Sequence, residues 1–338
     1  MAKTLAVLYR PKTFEDVTEQ KNVIGILKNQ LESRECKNAY LFCGGAGTGK
    51  TTCARIFANE LNEGKGVPIE IDAASNNGVE NVRQIIEQAK FLPLDGQYKI
   101  YIIDECHMMS IGAWNAMLKL LEEPPARTIF IFATTDPQKI PATILSRVQR
   151  YDFNRISASG IVTRLEYICK QEGLKADKQA LEFIARIAQG GMRDAISLMD
   201  KCFSYKKELT VNNVSEALGI VSYTTLVSML NFLAGKNTEM LLDKLNEIYN
   251  SGMDIKQFVR TFVIFLIDIS IYQVTGKLDY GRIPGYYKDL IDDIDLKDFD
   301  ILEVLDAAMA LQQSISRDPA PLALTQAFFI KYSGGIKK

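Results

Sequence analysis

Residues 44–51, Gly44-Gly45-Ala46-Gly47-Thr48-Gly49-Lys50-Thr51, fit the pattern G-x-x-x-x-G-K-[ST], and that pattern implies phosphate binding. Glycines let the backbone curl until its N–H groups and the next helix N-terminus face phosphate oxygens. Lys50 supplies positive charge for the β- and γ-phosphates, and Thr51 offers a hydroxyl to Mg²⁺. Further along, Ile100-Tyr101-Ile102-Ile103-Asp104-Glu105 delivers two carboxylates at the end of an apolar run, where open α/β sheets bind ligands. Asp104 is suited to hold Mg²⁺ through water and Glu105 to polarise an attacking water. A plain glycine-rich turn and a solvated acidic turn are the competing explanations, and the order of loop followed by acids favours nucleotide chemistry. A nucleotide kinase would need an acceptor-binding lid, for which the chain carries no signal. Cys106 and His107 follow the acids, but adjacent residues on one backbone seldom face each other. Packing at the strand end is therefore preferred to a Cys–His nucleophile.

Such residues need a sheet to carry them. Residues 39–43, 67–71, 99–103 and 128–133 are apolar, strand-like runs. Amphipathic segments at 79–91 and 111–121 lie between them, and a helix over 52–61 follows the glycine loop directly. That alternation predicts an α/β fold with a parallel sheet and right-handed crossovers. After about residue 153 the strand signals stop and glycines punctuate a series of helical patterns, so the second half is expected to be all-α. The chain is divided accordingly into a phosphate-loop domain (1–155), a small helical domain (156–219) and a second helical domain (222–338), with residues 221–225 as linker.

Forty Lys and Arg against 41 Asp and Glu leave a net charge of −1 across 338 residues. Any nucleic-acid contact must then come from a local patch. The six cysteines, at 36, 43, 53, 106, 169 and 202, never approach metal-ligand spacing, and there is a single histidine. Scattered thiols and a start, Met-Ala-Lys-Thr, without a long apolar segment point to a reducing cytoplasm. The most apolar stretch, 262–267, is interrupted by Asp268 and falls far short of the roughly 20 residues that span a bilayer. No membrane association is expected.

Several further motifs resemble those of one family, the bacterial clamp-loader ATPase subunit (DNA polymerase III gamma/tau, of the AAA+ class), closely through residue 220. Leu8-Tyr9-Arg10-Pro11-Lys12-Thr13-Phe14-Glu15-Asp16-Val17 is similar to the family's opening segment, which packs over adenine. The resemblance therefore adds Tyr9, Arg10, Pro11, Val17 and Thr52 to the ATP-binding residues Gly44, Gly45, Ala46, Gly47, Thr48, Gly49, Lys50 and Thr51. Thr134-Thr135-Asp136-Pro137-Gln138-Lys139 resembles the sensor 1 region, which puts Thr135 near the γ-phosphate. Ser146-Arg147 matches the pair whose arginine completes the neighbouring subunit's ATP site in trans, although Val148 stands where the family has Cys. Gly190-Gly191-Met192-Arg193-Asp194-Ala195 resembles the lid helix with the sensor 2 arginine, giving Arg193 a γ-phosphate contact in its own subunit. Residues 70–75 and 120–125 also look like family segments, without assigned chemistry.

Two departures stand out. The family's four-cysteine zinc module is reduced to Glu63-Gly64-Lys65-Gly66, so no zinc is expected, and Glu19 replaces a glycine. From about residue 222 the chain is similar only in pattern to the family's collar domain, and it ends as the short gamma form does.

The resemblance implies ATP and Mg²⁺ as cofactors, a ring of loader subunits, pentameric in the family, and a sliding clamp and primer–template DNA as partners. ATP-bound rings would open the clamp, and DNA would trigger Glu105-dependent hydrolysis. Arg83, Lys90 and Lys119 are candidate phosphate contacts, although exposed cations on helices are ordinarily just solvated. Two other classes stay open. One is a different AAA+ DNA motor, such as a branch-migration helicase or initiator. The other is a non-hydrolysing scaffold subunit, against which Lys50, Thr51, Asp104 and Glu105 all argue.

Overall fold

The structure is a computed structural model that describes residues 4–334 except 298 and 317. Backbone proximity divides the chain into two compact units, Met1–Glu172 with Ile187–Asp200, and Gly173–Arg186 with Lys201–Lys338. The expected helical segment 156–219 is thus shared between them.

In the first unit the strands β1 (Ala39–Gly44), β2 (Ile69–Asp72), β3 (Lys99–Asp104), β4 (Thr128–Thr134) and β5 (Gln149–Phe153) form one sheet in the order β2-β3-β4-β1-β5. Every pairing is parallel. Side chains alternate between the faces of a strand, and each face is covered by helices. Leu41, Tyr101, Phe130 and Phe132 pack with Trp114 and Met117 on one side. Tyr40, Phe42, Ile102 and Ile131 pack with Leu27, Cys53 and Phe57 on the other. The helices involved are α1 (Lys21–Ser33), α2 (Lys50–Leu61), α3 (Val79–Ala89) and α4 (Ile111–Glu122). Burial on both faces explains why β4, buried at every position, reads as an unbroken apolar run.

The edges behave differently. Strand β5 is absent from the sequence expectation because only Tyr151 and Phe153 of Gln149–Phe153 are buried, while Arg150 and Asp152 pair with each other at 2.7 Å on the open face. At the other edge β2 starts at Ile69, not at Val67, because Pro68 has no N–H to place in a ladder, and Val67 is 88% exposed. Between β4 and β5 lies α5 (Ala142–Leu145), and α6 (Ala158–Glu172) follows β5.

The second unit corrects the all-α expectation in one detail. Strands β6 (Lys175–Ala176) and β7 (Glu208–Leu209) pair in parallel, each too short to leave a period in the sequence. Helix α7 (Lys178–Ile187) precedes β7, as does α8 (Met192–Tyr205), whose residues up to Asp200 belong to the first unit. After it come α9 (Val211–Leu218), α10 (Tyr223–Ala234), α11 (Thr238–Asn250), α12 (Ile255–Thr275), α13 (Ile301–Ile315) and α14 (Pro321–Tyr332). Residues 221–225 are no linker, because the Ser222 hydroxyl accepts the Thr225 N–H at 3.2 Å and starts α10.

Helix α12 is long and apolar enough to cross a membrane by length and composition. Its Phe258, Phe262, Phe265, Leu266 and Ile269 instead fill a core with Leu230, Leu245, Val304 and Phe329. Asp268 is 5% exposed on the same helix. Its carboxylate accepts the Arg282 N–H at 2.9 Å, and burial raises its pKa against the opposing pull of that hydrogen bond and of Arg282 and Arg186.

Candidate nucleotide site

The glycine loop connects β1 to α2, and its glycines answer to sterics. A Cβ on Gly44 (φ +153°) would lie 2.5 Å from the Phe153 carbonyl oxygen, and one on Gly47 (φ +69°) would lie 3.0 Å from Gly191 Cα. Lys50, at the start of α2, is only 6% exposed, and its ammonium donates to the carbonyls of Gly44 and Gly45, each at 2.8 Å. Burial lowers the pKa of that ammonium, and the carboxylates of Glu105 and Asp104 work against the shift.

Thr51 reaches across to β3. Its hydroxyl donates to Asp104 Oδ2 at 2.8 Å, which sets a hydroxyl and a carboxylate oxygen side by side. Hard oxygen donors of this kind suit Mg²⁺, which keeps several of its waters. Glu105 follows with φ +47°, a left-handed conformation at the turn after the strand. Thr135, just beyond β4, donates to Glu105 Oε2 at 3.0 Å.

A cavity of about 250 Å³ opens above the loop, and all of its lining belongs to the first unit. Tyr9, Arg10, Pro11 and Val17 from the N-terminal arm meet Ala46, Gly47, Thr48, Gly49, Lys50, Thr51 and Thr52 there, together with Asp104, Glu105 and Arg193. Gly44 and Gly45 do not line it; they lie beneath, as the carbonyls that hold Lys50. Arg193 is brought in because the Met192 N–H donates to the Gly47 carbonyl at 3.0 Å, fixing the start of α8 to the loop. Ala6, Thr18, Ile156, Arg164, Met192, Asp194 and Ile196 complete the wall, and of these no local pattern announced Ala6, Thr18, Ile156, Arg164 and Ile196.

The arm is anchored at several points. The Tyr9 hydroxyl donates to Glu172, a bond that raises its pKa to about 12, and Arg164 donates to the Tyr9 carbonyl at 3.0 Å. The Glu19 carboxylate accepts the Ser157 N–H at 3.1 Å and the Ser157 hydroxyl at the start of α6, where the helix dipole favours negative charge. Gln20, 7% exposed, donates to the Asn154 carbonyl at 2.7 Å and accepts the Asn154 N–H at 3.1 Å. The departure at Glu19 is therefore a clasp between the arm and α6.

Several cations lie close together near the cavity. Burial lowers the pKa of Arg10, and the fields of Arg55 and Arg193 lower it further. Arg55 is ion-paired with Glu70 of β2, which gives a contact to a segment that sequence left without chemistry. Arg147 stands apart from the cavity on an exposed turn, donating to the Thr143 carbonyl at 2.7 Å and to Glu122 at 2.6 Å. Arg83 and Lys90 each pair with a carboxylate three residues earlier, Glu80 and Glu87. Cys106 is fully buried and its thiol is pushed well above the ordinary range by burial, as its dismissal as a nucleophile requires. His107 does not merely pack at the strand end: Nδ1 lies 3.3 Å from Glu105 Oε2 and 3.2 Å from Thr134 Oγ1.

Comparison with known proteins places this geometry. Residues 62–157 match the family profile described as DNA polymerase III, delta subunit. Residues 160–206 match that of the DNA polymerase III clamp loader subunit ATPase lid domain, and residues 209–289 that of DNA polymerase III subunits gamma and tau domain III. DNA polymerase III subunit tau of Bacillus subtilis is 41% identical over 85% of this chain and 56% of its own length. DNA polymerase III subunit gamma of Buchnera aphidicola (Schizaphis graminum) is 33% identical over 81% of this chain and 82% of its own length. The chain spans only about half the length of the tau relatives it matches. Among solved structures, Thermotoga maritima RuvB aligns with a TM-score of 0.53 and 19% identity over 73% of this chain and 86% of that one, a likeness of fold.

Proposed function

The chain belongs to the DNA polymerase III gamma/tau family of clamp-loader subunits, and from that premise we propose that it is an ATPase that opens a sliding clamp and loads it on primed DNA. The observation that carries the proposal is the convergence of Lys50, Thr51, Asp104 and Glu105 with Arg193 on one cavity. Lys50 and Arg193 neutralise the β- and γ-phosphates, and the loop N–H groups cradle them. Thr51 and Asp104 hold Mg²⁺, which when bound supplies charge neutralisation at the phosphates. Glu105 accepts a proton from the attacking water, and Thr135 holds that carboxylate by its Oε2. Tyr9, Arg10, Pro11 and Val17 form the adenine side of the pocket.

Arg147 is proposed to act on the neighbouring subunit. It lines no part of its own cavity and is exposed, a placement that supports a role in trans across a ring of subunits. The division into domains over 1–155, 156–219 and 222–338 is retained as a functional proposal, with the last as the collar that joins the ring, in the cytoplasm.

The test is steady-state ATPase of the chain assembled with its partner subunits, with and without primed DNA and the clamp of the same genome. Stimulation that requires both ligands is expected. Stimulation by DNA junctions without the clamp would transfer the chain to the branch-migration class, and turnover unchanged in Glu105→Gln would remove the hydrolytic assignment.

A further inference from the structure

Glu105 sits on backbone that does not fix it. Its φ of +47° takes it out of β3 before the 3₁₀ turn Cys106–Met108 begins, so neither strand nor helix packing determines where the carboxylate points. Its side chain is 38% exposed, and a solvated glutamate samples several rotamers. Two neighbours restrict it. The Thr135 hydroxyl donates to Oε2 at 3.0 Å, and His107 Nδ1 lies 3.3 Å from the same oxygen. Oε1 is left for the attacking water.

The imidazole is itself held. His107 has a side-chain exposure of only 12%, and Nδ1 is 3.2 Å from Thr134 Oγ1, which accepts the Asp136 N–H at 3.0 Å. Two proton arrangements fit those atoms. With the proton on Nε2, Nδ1 accepts from the Thr134 hydroxyl and turns a lone pair toward the Glu105 carboxylate. With the proton on Nδ1, the N–H is shared between Thr134 Oγ1 and the carboxylate. Anionic oxygen favours the second arrangement, and among the described residues no hydrogen bond or ion pair holds Nε2.

We propose that His107 is a positioning residue for Glu105, carrying its proton on Nδ1 so that the imidazole and Thr135 together fix Oε2 and aim Oε1 into the cavity. The proposal rests on Glu105 acting as the base, and it assigns work to a residue that the strand-end packing explanation leaves idle. His107 does not line the cavity; it acts through Glu105 alone.

The chain contains one histidine, so this chain labelled with ¹⁵N-histidine gives one imidazole, whose tautomer long-range ¹H–¹⁵N correlation reads directly. The expected result is Nδ1–H in the wild type and a shift toward Nε2–H in Glu105→Ala, where Thr134 becomes the stronger partner. An Nε2–H ring in the wild type, or a tautomer indifferent to Glu105→Ala, overturns the proposal. In the assembled loader, His107→Ala should lower kcat roughly tenfold, a fraction of what a positioned base contributes, with the KM for ATP unchanged. His107→Asn, whose amide N–H sits near the Nδ1 position, should recover most of that loss, and His107→Gln should not. Equal losses in all three variants, or a change in KM alone, also overturn it. Failure of the base assignment is seen separately, as wild-type turnover in Glu105→Gln, because the tautomer is read without turnover.

Discussion

Each of the two units buries a charged side chain almost completely, and the two charges do opposite things. Lys50 in the first unit is 6% exposed and Asp268 in the second is 5% exposed. For both, burial is the largest cause of a shift toward the neutral form, downward for the lysine and upward for the aspartate. Lys50 spends its protons on two loop carbonyls beside a cavity, with Asp104 and Glu105 nearby. Asp268 accepts one backbone N–H from Arg282, in a core of helices, and does not line the cavity. A buried charge is therefore no sign of function by itself; what separates the two is whether the polar partners face open space that a ligand can enter.

The sharpest way to break this contrast is Lys50→Ala. Charge-assisted hydrogen bonds of about 1.5–3 kcal/mol each are removed from the nucleotide, so ATP should bind roughly 100-fold or more weakly. The nucleotide-induced rise in Tm, followed by calorimetry, should vanish while the unliganded protein still unfolds cooperatively. Retained ATP-dependent stabilisation would make Lys50 another Asp268.

A core change in the second unit should do the reverse. Phe262→Ala removes a ring packed against Phe258 and Phe329 and should cost about 3–5 kcal/mol in chemical denaturation. Equilibrium dialysis of ATP with the folded fraction should give the wild-type affinity.

Asp268→Asn sharpens the comparison further. Asparagine keeps an oxygen for the Arg282 N–H and removes the desolvated charge, so Tm at pH 8 should rise by a few degrees, the response expected for about 1 kcal/mol. The sign follows from linkage. A carboxyl whose folded pKa is raised costs stability above that pKa, and the cost is released as pH falls toward the ordinary carboxylate value. The difference between variant and wild type should shrink on acidification, and a difference that grows would show that Arg186 and Arg282 outweigh burial.

The smallest effect is expected at Glu19→Gly. Glycine relieves roughly 1 kcal/mol of left-handed strain at φ +61°, while the lost bonds to Ser157 withdraw about as much. Stability should move by less than about 1 kcal/mol, and a loss of several would make the clasp between arm and α6 a main support of the cavity wall.

Much of the first unit was legible in the sequence because its signals are local. The glycine loop, Lys50, Thr51, Asp104 and Glu105 lie in two short runs whose spacing reflects what a strand, a turn and a helix N-terminus can present to phosphate. Four of the five strands were legible for a similar reason: β1, β3 and β4 are mostly apolar and buried, while β2 shows only Ile69 and Ile71 between Glu70 and Asp72 and buries none of its residues. Strand β5 was not, because an edge strand that buries only Tyr151 and Phe153 looks like charged coil, and the two-residue strands β6 and β7 carry no period at all.

The residues that complete the site carry no local spacing of their own, and Thr135 and Arg193 were named only through the family resemblance. Arg193 and Gly47 are brought together by one backbone bond, Met192 N–H to Gly47 carbonyl. Thr135, His107 and Glu105 meet only because β3 and β4 are parallel neighbours whose ends deliver them to one place. Local backbone chemistry thus determined which groups are proposed to bind phosphate, since a loop that wraps phosphate must be written in consecutive residues. The tertiary fold decided how the base is held and which arginines reach the cavity, because contacts between residues far apart in the chain obey no spacing that the chain itself displays.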